Sequence, residues 1–339
     1  MIKIKNISGY FVFAIFLILL GLLFYLTDEV YIARAIADKV EFKIERGESL
    51  GSVLGRLAEN GLVRNQFIVR SYLFFLKPEA KIKPGLYLIG PEYSVKEVFE
   101  KFDLGADLEV KIFEGWASRD IDRALYEAGI IKNQNDFLRL AKNFDNSGGA
   151  YEFLSKKRGI DLEGYLFPDT YKFERGSPER AIEKMLGNFN KKVYLNSVSR
   201  YPDELRNVLI MASMLEREVK TAEDMKLVSG ILWKRFESEL PLQVDATLVY
   251  IKCVFMADSF GEDCRLLSNG DKKLDSLYNT YLFKGLPPGP ISNPGLKAIE
   301  AAFNPAESSF WYYLSAKDDG RTIFSETLDE HNLNRVIYR

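Results

Sequence analysis

Histidine, cysteine and clustered basic residues are all scarce in this chain. It has one histidine, His331. A Ser-His-Asp hydrolase would have to use this residue as its catalytic histidine, and a zinc site could have only one imidazole ligand. Its two cysteines, Cys253 and Cys264, lack the C-x-x-C spacing of a structural zinc site. The formal net charge is −2 and no basic block carries interleaved aromatic residues, so we expect no nucleic-acid partner. Carboxylates, hydroxyls and amides remain for catalysis, and we expect neither a metal nor a cofactor.

A long uncharged segment lies near the N-terminus. Gly9–Leu26 contains no charged residue, and its length is close to the roughly 20 apolar residues that span a bilayer. Lys3 and Lys5 precede the segment and two acidic residues follow it, which places the N-terminus in the cytoplasm by the positive-inside rule. The alternative is a cleaved signal peptide, whose apolar region usually has about 7–15 residues. We predict a cytoplasmic tail over 1–8, a single-pass transmembrane anchor over 9–27, and the rest of the chain outside the cytoplasm.

The segment after the anchor has the pattern of a small α+β module. Residues 41–45 alternate like a strand, a glycine turns the chain, and Ser49 is placed to cap a helix. A second helix, a strand and a third helix follow, which predicts a module over 40–104. The turn Gly47-Glu48-Ser49-Leu50 resembles that of a LysM-like peptidoglycan-binding module, and a generic α+β domain is the alternative. The rest of the pattern predicts one larger α+β domain over 107–339.

A helix predicted over 202–220 carries the strongest candidate for an acid. Around the helix axis, its apolar residues form one stripe that includes Glu216, whereas Glu218 falls on another face. Burial raises the pKa of a carboxyl group and lets it act as a general acid near neutral pH. The alternative is a structural Glu216 that pairs with Lys234 or Arg235 of a neighbouring element. The apolar stripe consists of Leu205, Val208, Leu209, Ala212, Leu215 and Val219.

Three other segments offer polar or shaped surfaces. Leu242–Thr247 contains an amide in Gln243 and a carboxylate in Asp245, and Tyr278-Asn279-Thr280-Tyr281 contains an amide, hydroxyls and aromatic rings. Such groups suit sugars, which take bidentate hydrogen bonds and stack on flat surfaces; a turn or helix cap is the alternative for each segment. Gly285–Gly295 consists mostly of Gly and Pro, so this stretch is a stiff loop. It forms either one wall of a binding site or a rigid connector.

In order and spacing, these segments closely resemble the YceG-like endolytic murein transglycosylases, the MltG family. The resemblance implies cleavage of nascent peptidoglycan strands at the MurNAc–GlcNAc β-1,4 bond, with 1,6-anhydro-MurNAc ends on the products. It also implies that Glu216 is the catalytic glutamate, which acts first as general acid and then as general base. The resemblance rests on five motifs: Glu163–Tyr171, Ala212–Glu218, Leu242–Thr247, Tyr278–Tyr281 with Gly285–Gly295, and Glu330–Asn332.

Other residues of these motifs have supporting roles in this interpretation. Those expected to bind the sugar or to hold the acid in place are Glu218, Gln243, Asp245 and Asn279. Further supporting candidates are Glu163, Tyr278 and His331. Two rival functions stay open: a non-catalytic peptidoglycan-binding scaffold, and a glycan hydrolase in which Glu218 or Asp245 activates water.

The expected partners and location follow from the anchor and the resemblance. Peptidoglycan glycan strands are the expected substrate, the N-terminal helix is the expected contact with the membrane, and peptidoglycan synthases are expected partners at the level of the family. The expected location is the plasma (inner) membrane, with the catalytic domain on the periplasmic side. Outside the cytoplasm, Cys253 and Cys264 form either a small disulfide loop or two free thiols.

Overall fold

The computed structural model describes residues 4–33, 39–79, 81–197, 205–256, 264–318 and 320–338. The chain divides into two compact units. The first comprises Met1–Leu108 with Lys172–Gly176, and the second comprises Glu109–Tyr171 with Ser177–Arg339. Helices and a two-stranded sheet occur in each unit, so the predicted mixture of helices and strands is confirmed.

The first unit combines one antiparallel strand pair with helices. Its elements in chain order are α1 (Ile4–Tyr31), β1 (Val40–Ile44), α2 (Leu50–Glu59), α3 (Gln66–Leu76), β2 (Gly85–Ile89) and α4 (Val95–Leu104). β1 pairs antiparallel with β2, with Val40 opposite Ile89. The Ser49 hydroxyl accepts a hydrogen bond from the N–H of Ser52 and caps α2 as predicted. The strands and helices bury a common core that includes Phe42, Leu57, Tyr87 and Phe102.

Helix α1 covers the segment predicted as an anchor over 9–27. Among the described residues, no helix combines the length and apolar character that crossing a bilayer requires. The anchor stays a prediction from the sequence. The LysM-like identity of the module and the predicted domain boundaries also stay predictions.

The rest of the chain contains the candidate acid. Its elements are β3 (Leu108–Lys111), α5 (Ser118–Glu127), α6 (Asp136–Lys142), β4 (Thr170–Phe173), α7 (Pro178–Phe189), α8 (Leu195–Ser197), α9 (Leu205–Glu218), α10 (Ala222–Glu237), α11 (Asp245–Tyr250), α12 (Leu296–Phe303), β5 (Tyr312–Ser315), β6 (Thr322–Ser325) and α13 (Leu328–Tyr338). Two π-helical turns, Asn190–Tyr194 and Ile251–Phe255, extend α7 and α11. β3 forms a two-stranded sheet with β4, and β5 pairs antiparallel with β6.

Helix α9 contains the candidate acid, and most of its residues are buried. It corresponds to the helix predicted over 202–220, of which residues 202–204 lie outside the described part. The predicted apolar stripe is buried, but Ile210, Met211 and Met214 on the other faces are buried as well. Because α10, α11 and α12 all pack on α9, the helix is covered on more than one face. Its C-terminal end is the exception, since Glu216 is half-buried there and Arg217 is exposed.

Candidate active site

The carboxyl group of Glu216 lies where the C-terminal end of α9 meets two turns. Its Oε2 atom accepts a hydrogen bond from the backbone N–H of Gly295, with 2.9 Å between N and O. Gly295 is the N-cap of α12, so the carboxyl group lies at the positive end of that helix. Gly115 lies on the other side: a Cβ atom there would stand 3.5 Å from Cγ of Glu216. Gly115 has φ +76°, a conformation that favours glycine.

Burial raises the pKa of the Glu216 carboxyl group above its usual value. The N–H of Gly295 lowers the pKa because it stabilises the carboxylate. The charge of Glu114 raises it, and the charge of Lys297 lowers it. The net shift is upward, which keeps more of Glu216 protonated near neutral pH, as a general acid requires.

The alternative partners predicted for Glu216 bind elsewhere. Arg235 donates to the backbone carbonyl of Pro241 at 2.8 Å and to Oε1 of Gln243 at 2.8 Å. The ammonium group of Lys234 donates to the carbonyl of Ser308 at 3.1 Å. These contacts direct both cations to other parts of the unit, so the structure favours a desolvated acid at Glu216 over a structural ion pair.

Glu114 is a member of the site that the sequence pattern does not reveal. A Cβ atom at position 295 would lie 2.2 Å from Oε1 of Glu114, so the Glu114 carboxyl group fills the space beside Gly295. Gly295 has φ −78°, which any residue can adopt, and a side chain at position 295 would have to displace the exposed side chain of Glu114. The two carboxyl groups therefore adjoin the same residue, Glu216 at its N–H and Glu114 beside its Cα. Only the folded chain brings positions 114 and 295 together.

The Gly- and Pro-rich loop lies against α9 and is fixed by Asn293. The side-chain Oδ1 of Asn293 accepts hydrogen bonds from the N–H groups of Gly164 at 2.9 Å and Leu166 at 3.0 Å. Its Nδ2 donates to the carbonyl of Trp116 at 3.0 Å and to Oε1 of Glu163 at 2.9 Å. One buried amide thus ties three segments together. The loop ends at Gly295, so this network sets the position of the N–H group that donates a hydrogen bond to Glu216.

Glu163 is a buried carboxyl group within the same network. Its Oε1 and Oε2 accept hydrogen bonds from the N–H of Ser118 at 3.0 and 3.2 Å, and Lys142 lies 3.5 Å from Oε2. Burial raises the pKa of Glu163 to about 7, although the charge of Lys142 acts in the opposite direction. Glu163 contacts the start of α5 and Asn293. It therefore helps to hold the Gly- and Pro-rich loop in position.

Four of the predicted supporting residues line one cavity of about 370 Å³, which we call the polar cavity. They are Glu218, Gln243, Asp245 and His331. Glu218 accepts hydrogen bonds from the N–H of Ala246 at 3.2 Å and from the hydroxyl of Tyr313 at 3.3 Å. Asp245 accepts from the hydroxyl of Tyr281 at 2.6 Å, and the His331 ring stacks on Tyr312. Glu216 and Glu218 thus face different surroundings, as their helical spacing predicts.

The two remaining supporting candidates differ in exposure. Asn279 is fully buried, and its amide donates to the carbonyls of Lys272 at 3.1 Å and Leu274 at 2.8 Å. These bonds make Asn279 a residue that shapes its own loop. Tyr278 is half-buried and its ring lies 5.1 Å from that of Tyr250. Burial raises the pKa of Tyr278 to about 12.

Two more cavities lie beside the turns that hold Glu216. One of about 560 Å³, the arginine cavity, includes Ala117, Arg217 and Ile291 in its lining. The other, of about 660 Å³, is the aromatic cavity, which includes Glu114, Phe167 and Leu296. Residues on either side of Gly115 and Gly295 therefore contribute to two separate clefts.

The two cysteines form a disulfide, one of the two alternatives left open by the sequence. Cys253 and Cys264 are joined by an S–S bond, and both line the arginine cavity. Among the described residues, no group of three or more His, Cys, Asp and Glu side chains is arranged to hold a metal ion.

Comparison with known proteins agrees with these motifs. The model of the YceG-like family matches residues 42–336. The chain is 28% identical over 315 residues to the endolytic murein transglycosylase of Bacillus subtilis (strain 168), covering 88% of this chain and 84% of that protein. It is 27% identical over 322 residues to the endolytic murein transglycosylase of Streptococcus pneumoniae serotype 2 (strain D39), covering 86% of this chain and 57% of that protein.

A solved structure resembles the fold as well. The crystal structure of a YceG-like protein from Listeria monocytogenes matches with a TM-score of 0.58 and 27% identity, covering 87% of this chain and 99% of that one. The fold is thus a mixed α and β framework in which the half-buried Glu216 packs on a turn that borders two clefts. The chain belongs to the YceG-like family.

Proposed function

We propose that this chain is an endolytic lytic transglycosylase of peptidoglycan, with Glu216 as its acid and base. The substrate is the MurNAc–GlcNAc β-1,4 bond of nascent glycan strands, and the new ends are 1,6-anhydro-MurNAc. The observation that carries the proposal is the half-buried Glu216 carboxyl group held at the N–H of Gly295. The names of the Bacillus and Streptococcus relatives, both endolytic murein transglycosylases, support the reaction class.

The surroundings of Glu216 suit a group that must give up a proton and take one back. Burial and the charge of Glu114 favour the protonated form before the reaction. The N–H of Gly295 and the charge of Lys297 favour the carboxylate that is left after proton transfer. An acid that later acts as a base needs both forms, and the surroundings of Glu216 contain groups that stabilise each of them.

The reaction then proceeds with one protein carboxyl group. Glu216 donates its proton to the glycosidic oxygen, the C1–O bond breaks with its electron pair on that oxygen, and C1 of MurNAc becomes oxocarbenium-like. The Glu216 carboxylate next takes the proton from the MurNAc 6-hydroxyl while O6 bonds to C1. Glu216 is protonated again at the end. Because the nucleophile belongs to the sugar, the step consumes no water and needs no second carboxylate to activate one.

The clefts beside Glu216 suit cleavage within a strand. An endolytic enzyme must hold sugars on both sides of the scissile bond. The turn Glu114–Ala117 has its first residue in the aromatic cavity and its last in the arginine cavity. A strand that occupied both clefts would pass the turn against which Glu216 packs.

Digestion of purified peptidoglycan tests the proposal. We expect Glu216→Gln to lose roughly 100-fold to 10,000-fold of the cleavage rate, since it removes proton transfer. Glu218→Gln is the matched variant two residues away, and we expect a smaller loss because Glu218 faces the polar cavity. Chain ends are identified by mass spectrometry. Anhydro ends that disappear in Glu216→Gln support the proposal, reducing ends indicate a hydrolase, and intact strands with the wild-type protein indicate a binding scaffold.

We infer the membrane anchor from the sequence, with the N-terminus in the cytoplasm and the catalytic part outside. The uncharged segment Gly9–Leu26 and the preceding Lys3 and Lys5 support this orientation. Described apolar side chains of α1, such as Ile18 and Phe24, are exposed, which suits an apolar surrounding. Deletion of residues 1–27 is expected to move the protein from the membrane to the soluble fraction. Recovery of the deleted form in the membrane fraction would contradict the anchor.

We also infer that the module over 40–104 contacts peptidoglycan in the manner of LysM. The strand β1, the turn Gly47–Leu50 and the helix α2 follow one another as in the motif that suggests it. Substitutions in that turn should reduce the amount of the Glu216→Gln variant that sediments together with purified peptidoglycan.

We also propose peptidoglycan synthases as partners, because they act at the same location. Co-purification of the protein with synthases from crosslinked membranes tests that association.

A further inference from the structure

The arginine cavity carries an excess of positive charge. Four guanidinium side chains line it, together with one carboxylate, Asp120, among the described residues. Asp120 is already engaged, because its Oδ2 accepts a hydrogen bond from the N–H of Ala117 at 3.0 Å at the start of α5. The arginines are Arg119, Arg123, Arg217 and Arg265. The described part of the lining therefore carries more positive than negative charge.

The partners of these arginines are neutral. Arg217 donates to the carbonyl of Gly115 at 2.9 Å, and Arg119 donates to the carbonyls of Cys253 at 3.4 Å and Val254 at 3.5 Å. These bonds fix the positions of two guanidinium groups without neutralising them. In the part of the chain that the structure describes, Arg123 and Arg265 form no salt bridge, and both are exposed.

Arg217 is influenced by charges of both signs. Desolvation of the guanidinium lowers the pKa of Arg217, the charges of Asp120 and Glu218 raise it, and repulsion from the charge of Arg265 lowers it. Arginine stays protonated in proteins, so the consequence is a site of positive potential. A carboxylate that entered the cavity would relieve this repulsion and could accept paired N–H groups from one guanidinium.

The arginine cavity adjoins the candidate acid. A Cβ atom at Gly115 would lie 3.3 Å from Cδ of Arg217 and 3.5 Å from Cγ of Glu216, so both side chains pack on the same turn. A MurNAc ring at Glu216 carries a lactyl group at O3, and the stem peptide is attached there. That peptide carries free carboxylates and extends away from the glycan strand. We propose that the arginine cavity binds a carboxylate of the stem peptide on a MurNAc residue next to the cleaved bond.

The protein should then prefer to cleave strands that carry charged peptides. This expectation rests on the proposed function. One charge-assisted hydrogen bond contributes about 1.5–3 kcal/mol, which corresponds to roughly a 10-fold to 100-fold change in an equilibrium or a specificity ratio. The disulfide joins two parts of the cavity lining, because Arg119 donates to the carbonyl of Cys253 and Arg265 directly follows Cys264 in the chain.

Three glycan substrates of matched length test the preference with the full chain in detergent. The first carries uncrosslinked stem peptides, the second carries the same peptides with amidated carboxyl groups, and the third carries no peptides. The wild-type protein should cleave the first with a kcat/KM roughly 10-fold or more above that for the second. In Arg123→Gln/Arg265→Gln this ratio should fall toward one. Arg139→Gln is the matched control, since Arg139 is an exposed arginine of α6, and it should keep the wild-type ratio.

Equal rates of the wild-type protein on charged and amidated peptides would overturn the proposal, as would an unchanged ratio in the double variant. A second measurement separates this failure from failure of the proposed function. Isothermal titration of a free stem pentapeptide into Glu216→Gln reports binding without cleavage. Binding that weakens roughly 10-fold in the presence of the two arginine substitutions supports the cavity even if no substrate is cleaved. Binding that the substitutions do not change contradicts it.

Discussion

The carboxylate oxygen of Glu216 accepts its hydrogen bond from Gly295, a residue 79 positions further along the chain. The same glycine leaves room for the carboxyl group of Glu114, which comes from a third segment. Three distant parts of the sequence therefore determine the proton affinity of one side chain. The consequences can be measured at each of them.

Glu114 and Lys297 should shift the pH dependence of cleavage in opposite directions. The reaction starts from protonated Glu216, so kcat/KM falls as pH rises through the pKa of Glu216. Glu114→Gln removes a charge that raises this pKa and should move the alkaline limb to lower pH. Lys297→Met removes a charge that lowers it and should move the limb to higher pH. Rates measured across a pH series check both, and shifts in the same direction would contradict the assignment of Glu216.

Glu163 should make the folded protein less stable as pH rises. Its pKa is about 7 in the folded chain, against a usual value of 4.5. Between these values the folded state binds the proton more tightly than the unfolded state, so the free energy of unfolding decreases with rising pH. Glu163→Gln removes this titration and should reduce the loss by on the order of 1–3 kcal/mol.

Urea unfolding on both sides of this pH window provides the measurement for Glu163. Glu237→Gln, which changes an exposed glutamate of α10, is the matched control and should keep the wild-type dependence. Parallel pH profiles for wild type and Glu163→Gln would show that the buried carboxyl group does not titrate in this window.

Asn293 should be critical for stability because its amide makes four hydrogen bonds within the protein. Asn293→Ala leaves several buried groups without partners, and each unsatisfied group costs about 1–3 kcal/mol. We expect a loss of at least about 3 kcal/mol in the free energy of unfolding. Ser292→Ala removes a single bond, to the carbonyl of Ser213, and should cost about 1 kcal/mol. Equal losses in chemical denaturation would contradict the role of Asn293 as the organiser of the loop.

The disulfide should stabilise the chain by a moderate amount. Cys253 and Cys264 are 11 positions apart, and closing a loop of that length contributes about 3 kcal/mol in the chain-entropy description. Replacing both cysteines with serine should lower the free energy of unfolding by roughly that amount. Wild-type protein unfolded with a reducing agent should match the double variant. If the reducing agent has no effect on the wild type while the variant is destabilised, the cost belongs to the serines and not to the lost bond.

The elements that the sequence predicted best are those with strong local signals. Ser49 precedes α2 and caps it as predicted. The helix at α9 follows from its apolar residues alone. In each case the signal lies within a few residues of the element that it specifies.

The elements that were missed depend on distant contacts. Asp245 was predicted to lie in a segment that binds sugar or forms a turn or helix cap, and the sequence did not predict that it begins α11, which packs on α9. The hairpin of β5 and β6 and the helices α12 and α13 were not predicted; the two strands have four residues each, and α12 follows the loop rich in Gly and Pro. Their stability comes from packing, which a local pattern does not record.

The site was predictable in part for the same reason. Glu216 stood out because it interrupts an apolar stripe, and the Gly- and Pro-rich loop stood out by composition. Glu114 carried no such signal, since only the fold brings it to Gly295. Glu163 and Asn279 have polar side chains in conspicuous motifs, yet both are buried in contacts that shape the backbone.

The origin of the oxygen atom at the new chain end tests the central claim most directly. Peptidoglycan is digested by the wild-type protein in water enriched in oxygen-18, and the new MurNAc ends are analysed by mass spectrometry. If Glu216 acts as acid and base for attack by the 6-hydroxyl of the same sugar, the new ends are 1,6-anhydro and contain no solvent oxygen, and Glu216→Gln forms them at least roughly 100-fold more slowly. Reducing ends that carry oxygen-18, or anhydro ends that Glu216→Gln forms at the wild-type rate, would contradict the account.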